Sequence, residues 1–445
     1  MSNQKSNWLK SGKFALLERV LMLGFGILTF YMLVRVLDKY NYGSWMLFMT
    51  ITTLVDVLRN GFFKNPLIKF FNSSDDHEKD SIQSTSLTLN ILFSIVITLI
   101  IIALAGPISL AWDVKELIDL LIIYFFMNIC LSFFFHFDYI TKANFRFDAS
   151  MVAQFVKRTL FFLFIGYFFI SGKRPELVSL GIGLALCTLV STLVLFIYYS
   201  KFSKLNFRIQ KKWAKELFHY GKYTLGTNLS AVLLRNIDVW MIGAFINPAA
   251  VATYNVAMRI ANLFEVPTMA MASIIFPEMV SKVKLDGEKA IRPIYEKSVA
   301  IIILLTVPFI LIVIIFSSDI VYLLAGEGYS ETSPVLQITI FLGMFIPFTK
   351  QMGVVLDAVG KASLNMKFVI LAAIINVILN VIAIPTYGII GAASATLTTM
   401  FITAVIALVY LNKTHEVKIS SILLEVKSNA LKFPNLISEK LLSKK

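Results

Sequence analysis

The sequence predicts an all-α integral membrane protein with twelve transmembrane helices in two six-helix lobes. Three observations predict it: an apolar composition, apolar runs of bilayer length from end to end, and a repeat near mid-chain. Of the 445 residues, 57% are apolar and 15% charged. Runs of about 20 such residues each cross a hydrocarbon core of about 30 Å as a helix.

The first run, residues 13–37, is too long for a signal-peptide core and has no small-residue cleavage site behind it, so it reads as an uncleaved first span. The others follow at approximately 42–63, 82–106, 116–138, 147–171, 176–200, 220–246, 249–277, 295–318, 334–358, 364–385 and 388–412. The connections are short, and none has the length to fold a catalytic domain. Gly24 and Gly26 in the first span and "GIIGAASAT" in the twelfth let helix backbones approach closely. Pro267, Pro308 and Pro347 lie inside spans, where each removes a backbone hydrogen bond and kinks the helix. Cys130 and Cys187 sit within apolar runs without metal-ligand spacing and read as packing residues.

Lysine and arginine are retained on the cytoplasmic side of a membrane protein. With the N-terminus inside, 29 of the 41 Lys and Arg fall in the tails, the even-to-odd connections and the span ends beside them. The opposite loops hold four: Lys39, Lys115, Lys173 and Arg174. "SSDIVYLLAGEGYSETSP" carries no cation, which makes it an outside loop. The formal charge of +14 is thus mostly a topology signal, not a nucleic-acid footprint. Both termini are expected in the cytoplasm.

The chain also repeats itself. "LDKYNYGSWMLF" and "INPAAVATYNVA" place an aromatic after a small residue at Gly43, Trp45 and again at Ala252, Tyr254, an offset of 209; "GIGLALCTLV" echoes "GIIGAASATL". Six being even, both halves enter from one side, so their pseudo-twofold axis runs along the membrane normal with a cleft between halves. The expected division is an N-terminal lobe at 1–210, a C-terminal lobe at 211–412 and a basic tail at 413–445. For that tail two readings stay open, a helix on the anionic inner leaflet or a disordered segment.

Charges inside spans are expensive and mark substrate or ion routes. Thr52, Asp56, Arg59 and Asn60 share a stripe in the second span, Gln154 and Arg158 in the fifth, and Asn228, Arg235 and Asp238 in the seventh. Asn255, Arg259, Asn262 and Glu265 share one in the eighth, and Lys350 and Asp357 in the tenth. A structural reading pairs Arg235 with Asp238 and Arg259 with Glu265. Cations outnumber acids at depth, however, and a cationic cleft favours an anionic ligand. Arg35 and Lys157 read as snorkelling to headgroups. The acid cluster "SSDDHEKD" reads as a solvated loop, and the four histidines are scattered without metal spacing. A membrane-embedded polymerase or glycosyltransferase needs an acid pair or histidine at the interface and a donor-binding loop; neither is evident. No cofactor or metal is implied.

The stretch "LDAVGKASLNMKFVILAAIINVILNVIAIPTYGIIGAASAT" resembles the C-half signature of the polysaccharide-export, Wzx-like flippases of the MOP superfamily, which also holds multidrug MATE antiporters. A Gly-Lys turn closes one helix, Asn376 and Asn380 lie one turn apart, and a proline with Gly388 and Gly391 leads into the last span. "VATYNVAMRIANL" resembles the segment that enters the family's eighth helix. The resemblance implies transfer of a polyprenyl-pyrophosphate-linked oligosaccharide to the outer leaflet of a bacterial inner membrane by alternating access. It brings Arg19, Arg59, Arg235 and Arg259 to the positions of the family's intramembrane arginines. Arg158, Lys350, Asn255 and Asn262 join them as expected substrate contacts, and Asp56, Asp238 and Glu265 as ion-coupling or charge-compensating acids. The expected partners are the lipid-linked glycan, membrane lipids, and a polysaccharide polymerase or glycosyltransferase. A MATE-like cation antiporter is the alternative, and calls for acids in excess over bases.

Overall fold

The computed structural model describes the backbone of residues 2–442, and side chains outside residues 2–16, 19–20, 76, 223–228, 230–231, 264 and 432–442. Every described element is helical. Among the described residues eight helical stretches are long and apolar enough to cross a membrane, so the chain is a multi-pass membrane protein. It divides into two compact units, Met1–Val232 with Asn247–Ala252, and Leu233–Ile246 with Thr253–Lys445.

The first unit runs through α1 (Ser2–Val36), α2 (Lys39–Arg59), a π-helical turn (Asn60–Lys64), α3 (Asn65–Ser73), α4 (Asp76–Ala103), α5 (Ala105–Trp112), α6 (Leu117–Ala143), α7 (Phe147–Ser171), α8 (Leu177–Tyr199) and the start of α9 (Lys211–Phe245). Asp38 caps α2, its Oδ1 accepting from the Asn41 N–H at 2.9 Å. The wide turn follows from Pro66 in the first turn of α3. Proline lacks the N–H that would continue the ladder and its ring clashes with the carbonyl four residues back, so the helix widens there and continues. Gly43 is set by a close approach: a Cβ there would overlap the carbonyl of Pro248. Apolar side chains from Phe63 and Leu67 through Phe137, Ala153 and Tyr199 form the core of this unit.

The second unit holds the rest of α9, then α10 (Pro248–Ala261), a 3-10 turn (Asn262–Phe264), α11 (Glu265–Asp286), a second such turn (Gly287–Ala290), α12 (Ile291–Ile315), α13 (Ser317–Ala325), a third (Glu327–Tyr329), α14 (Thr332–Thr339), α15 (Leu342–Ala358), α16 (Ala362–His415) and α17 (Ile419–Leu442). The expected continuous eighth helix is therefore broken at Asn262–Phe264. Pro267 supplies the reason, since the break places it in the first turn of α11, where a missing N–H costs nothing. Pro308 and Pro347 do lie inside helices.

Helix α16, 54 residues long, is two helices: at Gly388 the backbone takes φ 59°, ψ −137° and reverses. A Cβ on Gly391 would overlap the Ala383 carbonyl oxygen. Eight residues along one straight helix would stand about 12 Å apart, so the two limbs fold back on each other. The tail question is answered at its near end. Val417 and Ile422 are buried in the same core as Tyr295 and Leu411, and the Lys418 N–H donates to Glu296 Oε1 at 2.9 Å.

Candidate functional site

In the first unit the charge at the end of α2 is drawn inward. Arg59 is 0% exposed. Its Nη1 donates to Asp56 Oδ1 at 2.9 Å and its Nη2 to Ser94 Oγ at 3.2 Å, and Nη2 also meets Asn128 Oδ1. Phe135 lies 5.2 Å from the guanidinium, a cation–π contact. The π turn follows Arg59 directly, and Asn60 accepts from the Tyr139 hydroxyl at 2.9 Å. This arginine is thus held by an acid, two neutral acceptors and a ring. Arg158 is half-buried on α7. Lys157 lies 6.0 Å from the Phe134 ring, and Arg35 stacks on Tyr31 at 3.8 Å. The side chains of Arg19 and Asn228 lie outside the described residues.

In the second unit the pairing of the structural reading, Arg235 with Asp238 and Arg259 with Glu265, is replaced by another. Arg235 Nη2 donates to Glu265 Oε2 at 3.2 Å, with the two side chains 63% and 26% exposed. Glu265 opens α11, where a carboxylate meets the positive end of the helix dipole. Asp238, three residues on and about 60° round the helix from Arg235, is engaged instead by groups of α10 and α16. It is 3% exposed and accepts from Tyr254 Oη at 2.8 Å, Thr396 Oγ1 at 2.7 Å and Asn380 Nδ2 at 2.6 Å. Asn380 donates also to Asn376 Oδ1 at 3.1 Å. The result is a carboxylate in a cage of neutral donors.

Arg259, Asn262 and Lys350 are exposed and Asn255 is half-buried. Lys350 lies at the middle of α15 and Arg235 inside α9, whereas Arg259 falls in the last turn of α10. The expected single stripe is split, with Asn255 and Arg259 on α10, Asn262 in the 3-10 turn and Glu265 at the start of α11.

Sequence reasoning did not assign Ser94, Thr98 and Asn128 around Arg59, nor Tyr254 and Thr396 around Asp238. Ser94 and Thr98 do carry a signal, an i, i+4 polar pair inside an apolar run. Asn376 and Asn380 were visible as a pair without their partner.

A family model described as polysaccharide biosynthesis protein matches residues 32–334. The probable low-salt glycan biosynthesis flippase Agl15 of Haloferax volcanii is 27% identical over 48% of this chain and 46% of its own length. The matched stretches span 41 to 46% of three archaeal relatives, so the chain spans under half the length of these curated relatives. Lipid II flippase MurJ, in an inward closed conformation, superposes with TM-score 0.75 at 16% identity, covering 95% of this chain and 91% of that one. An inward-facing multidrug MATE transporter of the MOP superfamily gives TM-score 0.74 at 15% identity, covering 89% and 94%. At such identity the likeness establishes the fold, which both transporters share. With the family model covering well over half of its length, the chain belongs to the polysaccharide biosynthesis protein family.

Proposed function

We propose that the chain is a flippase that moves a polyprenyl-pyrophosphate-linked oligosaccharide, an O-antigen, capsule or exopolysaccharide repeat unit, to the outer leaflet of a bacterial inner membrane. Twelve crossings in two six-helix lobes, divided near residue 210 and opening alternately, with both termini and the tail from residue 413 in the cytoplasm, belong to this reading. So does the absence of a catalytic step. The observation that carries it is the exposure of Arg235 and Lys350 inside their helices, and of Arg259 at the end of α10, in the second unit. A cation at bilayer depth faces water or a counter-charge, not lipid. Arginine offers a planar fork that fits phosphate oxygens two at a time.

In this reading Arg235 exchanges Glu265 for pyrophosphate, Arg259 and Lys350 add charge, and Asn255 and Asn262 bond the sugar. Arg19 and Arg158 are further substrate contacts in this reading, and Arg59 becomes one when Asp56 releases it. Glu265 and Asp56 hold their arginines while no substrate is bound, and Asp238 is the acid free to answer a coupling ion. A polysaccharide polymerase or glycosyltransferase would receive the product. A cation antiporter on the same fold would need exposed acids in excess of bases.

The test is a proteoliposome assay with a fluorophore-labelled polyprenyl-pyrophosphate glycan and external dithionite. Protein-dependent access of the inner-leaflet label is expected, with competition by unlabelled polyprenyl pyrophosphate and none by a lipophilic cation. Competition by the lipophilic cation alone would favour the antiporter.

A further inference from the structure

The interior of the first unit holds a polar seam that the proposed flipping cycle leaves unused. On α4, Ser86, Asn90, Ser94 and Thr98 recur every fourth residue and so share one face. On α6, Tyr124, Asn128, Ser132 and His136 do the same. None of the eight is more than 1% exposed. Hydrogen bonds join the two faces and set an antiparallel register. Asn90 Nδ2 donates to the Ser132 carbonyl oxygen at 2.9 Å, and Asn128 Nδ2 to the Ser94 carbonyl oxygen at 3.2 Å and to Thr98 Oγ1 at 2.6 Å. One turn further each way, that register sets Ser86 opposite His136 and Thr98 opposite Tyr124. The seam runs about 18 Å along α4.

Much of its bonding capacity is unused by the protein. Ser86 Oγ, Asn90 Oδ1, Tyr124 Oη, both ring nitrogens of His136 and, beside them, Arg59 Nε have no partner among the described residues. Buried polar groups left this way cost free energy unless something answers them, and an internal water typically makes about three such bonds. Orphans on facing ladders at successive turns are spaced for a row of waters rather than one.

The row has two distinct ends. At one, Arg59 turns Nη2 to Ser94 and Asn128 and holds Asp56 with Nη1. At the other, the His136 ring lies 5.9 Å from that of Tyr199, and the Tyr199 hydroxyl donates to Gln83 Oε1 at 3.5 Å. Gln83 Oε1 accepts also from Ser203 Oγ, at 2.6 Å, in the connection before α9. The charge distribution places that connection in the cytoplasm.

We propose that the seam between α4 and α6 holds a file of water molecules that carries protons from the Gln83–Ser203 end to the Asp56 carboxylate. A proton taken from hydronium in the cytoplasm, leaving water behind, reaches Asp56 and neutralises it. The ion pair with Arg59 is lost, while the guanidinium keeps Ser94 and Asn128. The proton leaves to water on the exposed side of that carboxylate, 32% exposed, when the ion pair with Arg59 re-forms. The groups facing Asp56 are Arg59 on its own helix, Lys157 on α7, and Tyr124 and Tyr139 on α6. The Arg59 charge disfavours a standing hydronium beside it, so the carboxylate is the resting place. This route extends the flippase reading, in which Asp56 restrains Arg59, but its detection does not depend on glycan transport.

X-ray radiolytic footprinting of the full chain in lipid nanodiscs tests the water directly, because hydroxyl radicals form at bound waters. Tyr124 and His136 should be oxidised faster than Tyr295, which is equally buried and donates its hydroxyl to the Phe348 carbonyl; equal or slower labelling overturns the file. Proton uptake into proteoliposomes under a potassium diffusion potential, read by a trapped pH dye, tests the conduction. Asn90→Leu and His136→Phe should each lose uptake, and Asn90→Ser should keep it, with all three matched for thermal stability. Uptake unchanged in both apolar variants overturns the proton route. If glycan transport fails while labelling and uptake persist, the flippase reading falls and the seam stands.

Discussion

Removing the carboxylate of Asp56 while Arg59 stays in place is the sharpest test of the first unit. Arg59 is 0% exposed and Asp56 is its one acid partner among the described residues, at 2.9 Å. Asp56→Ala would leave the guanidinium with Ser94, Asn128 and the Phe135 ring, in the field of Lys157. Orphaning a buried charge costs about 3–5 kcal/mol. Asp56 is 32% exposed, so water can enter where it stood, and the lower end, about 3 kcal/mol, applies. That is roughly a hundredfold in the folding equilibrium. The double variant Asp56→Ala with Arg59→Met replaces the pair by an unbranched apolar side chain and should recover most of the loss, because replacing a buried pair outright is often close to neutral. Reversible SDS unfolding in mixed micelles measures all four corners of the cycle. A loss below about 0.5 kcal/mol for Asp56→Ala, or no recovery in the double variant, would refute the claim that the pair holds a buried charge.

Four other outcomes are expected. Gly391→Ala should lower the melting temperature, since its Cβ meets the backbone of Ala383, which cannot rotate away, at an overpacking cost of about 1–3 kcal/mol or more; Gly24→Ala, with open space around it, should not. Arg235→Ala should abolish glycan export and change stability by less than about 1 kcal/mol, as suits an exposed pair. Adding Asp238→Ala should not restore export, because Asp238 is bound by Tyr254, Thr396 and Asn380 and not by Arg235. Ile422→Asp, which puts a charge into an apolar core, should free the start of α17 and speed tryptic cleavage after Lys427. Ser330→Cys should react with a membrane-impermeant maleimide from outside intact cells; labelling from the cytoplasmic face alone would reverse the topology.

The sequence by itself was sufficient for those properties that depend on composition and one-dimensional spacing. Apolar runs of bilayer length can only be satisfied as helices in lipid, because every backbone N–H and C=O must bond within its own segment. The break between the last two apolar runs was legible in Pro385 and Gly388, since the φ 59°, ψ −137° found there is a combination that glycine takes without strain. The expense of Arg59, Arg235 and Asp238 was legible too, because charge at depth needs an explanation whatever it touches. What charges touch depends on helix rotation and on helices distant in the chain, and tertiary structure alone decided it. Glu265 faces Arg235 across thirty residues because the 3-10 turn before Pro267 starts a new helix there. Asp238 reaches Thr396, 158 residues away, because the reversal at Gly388 brings the second limb of α16 back beside the first. The seam in the first unit shows the same division: each four-residue ladder is present in the sequence, but only the packing of α4 on α6 sets the two faces together and leaves their unanswered polar atoms in one place.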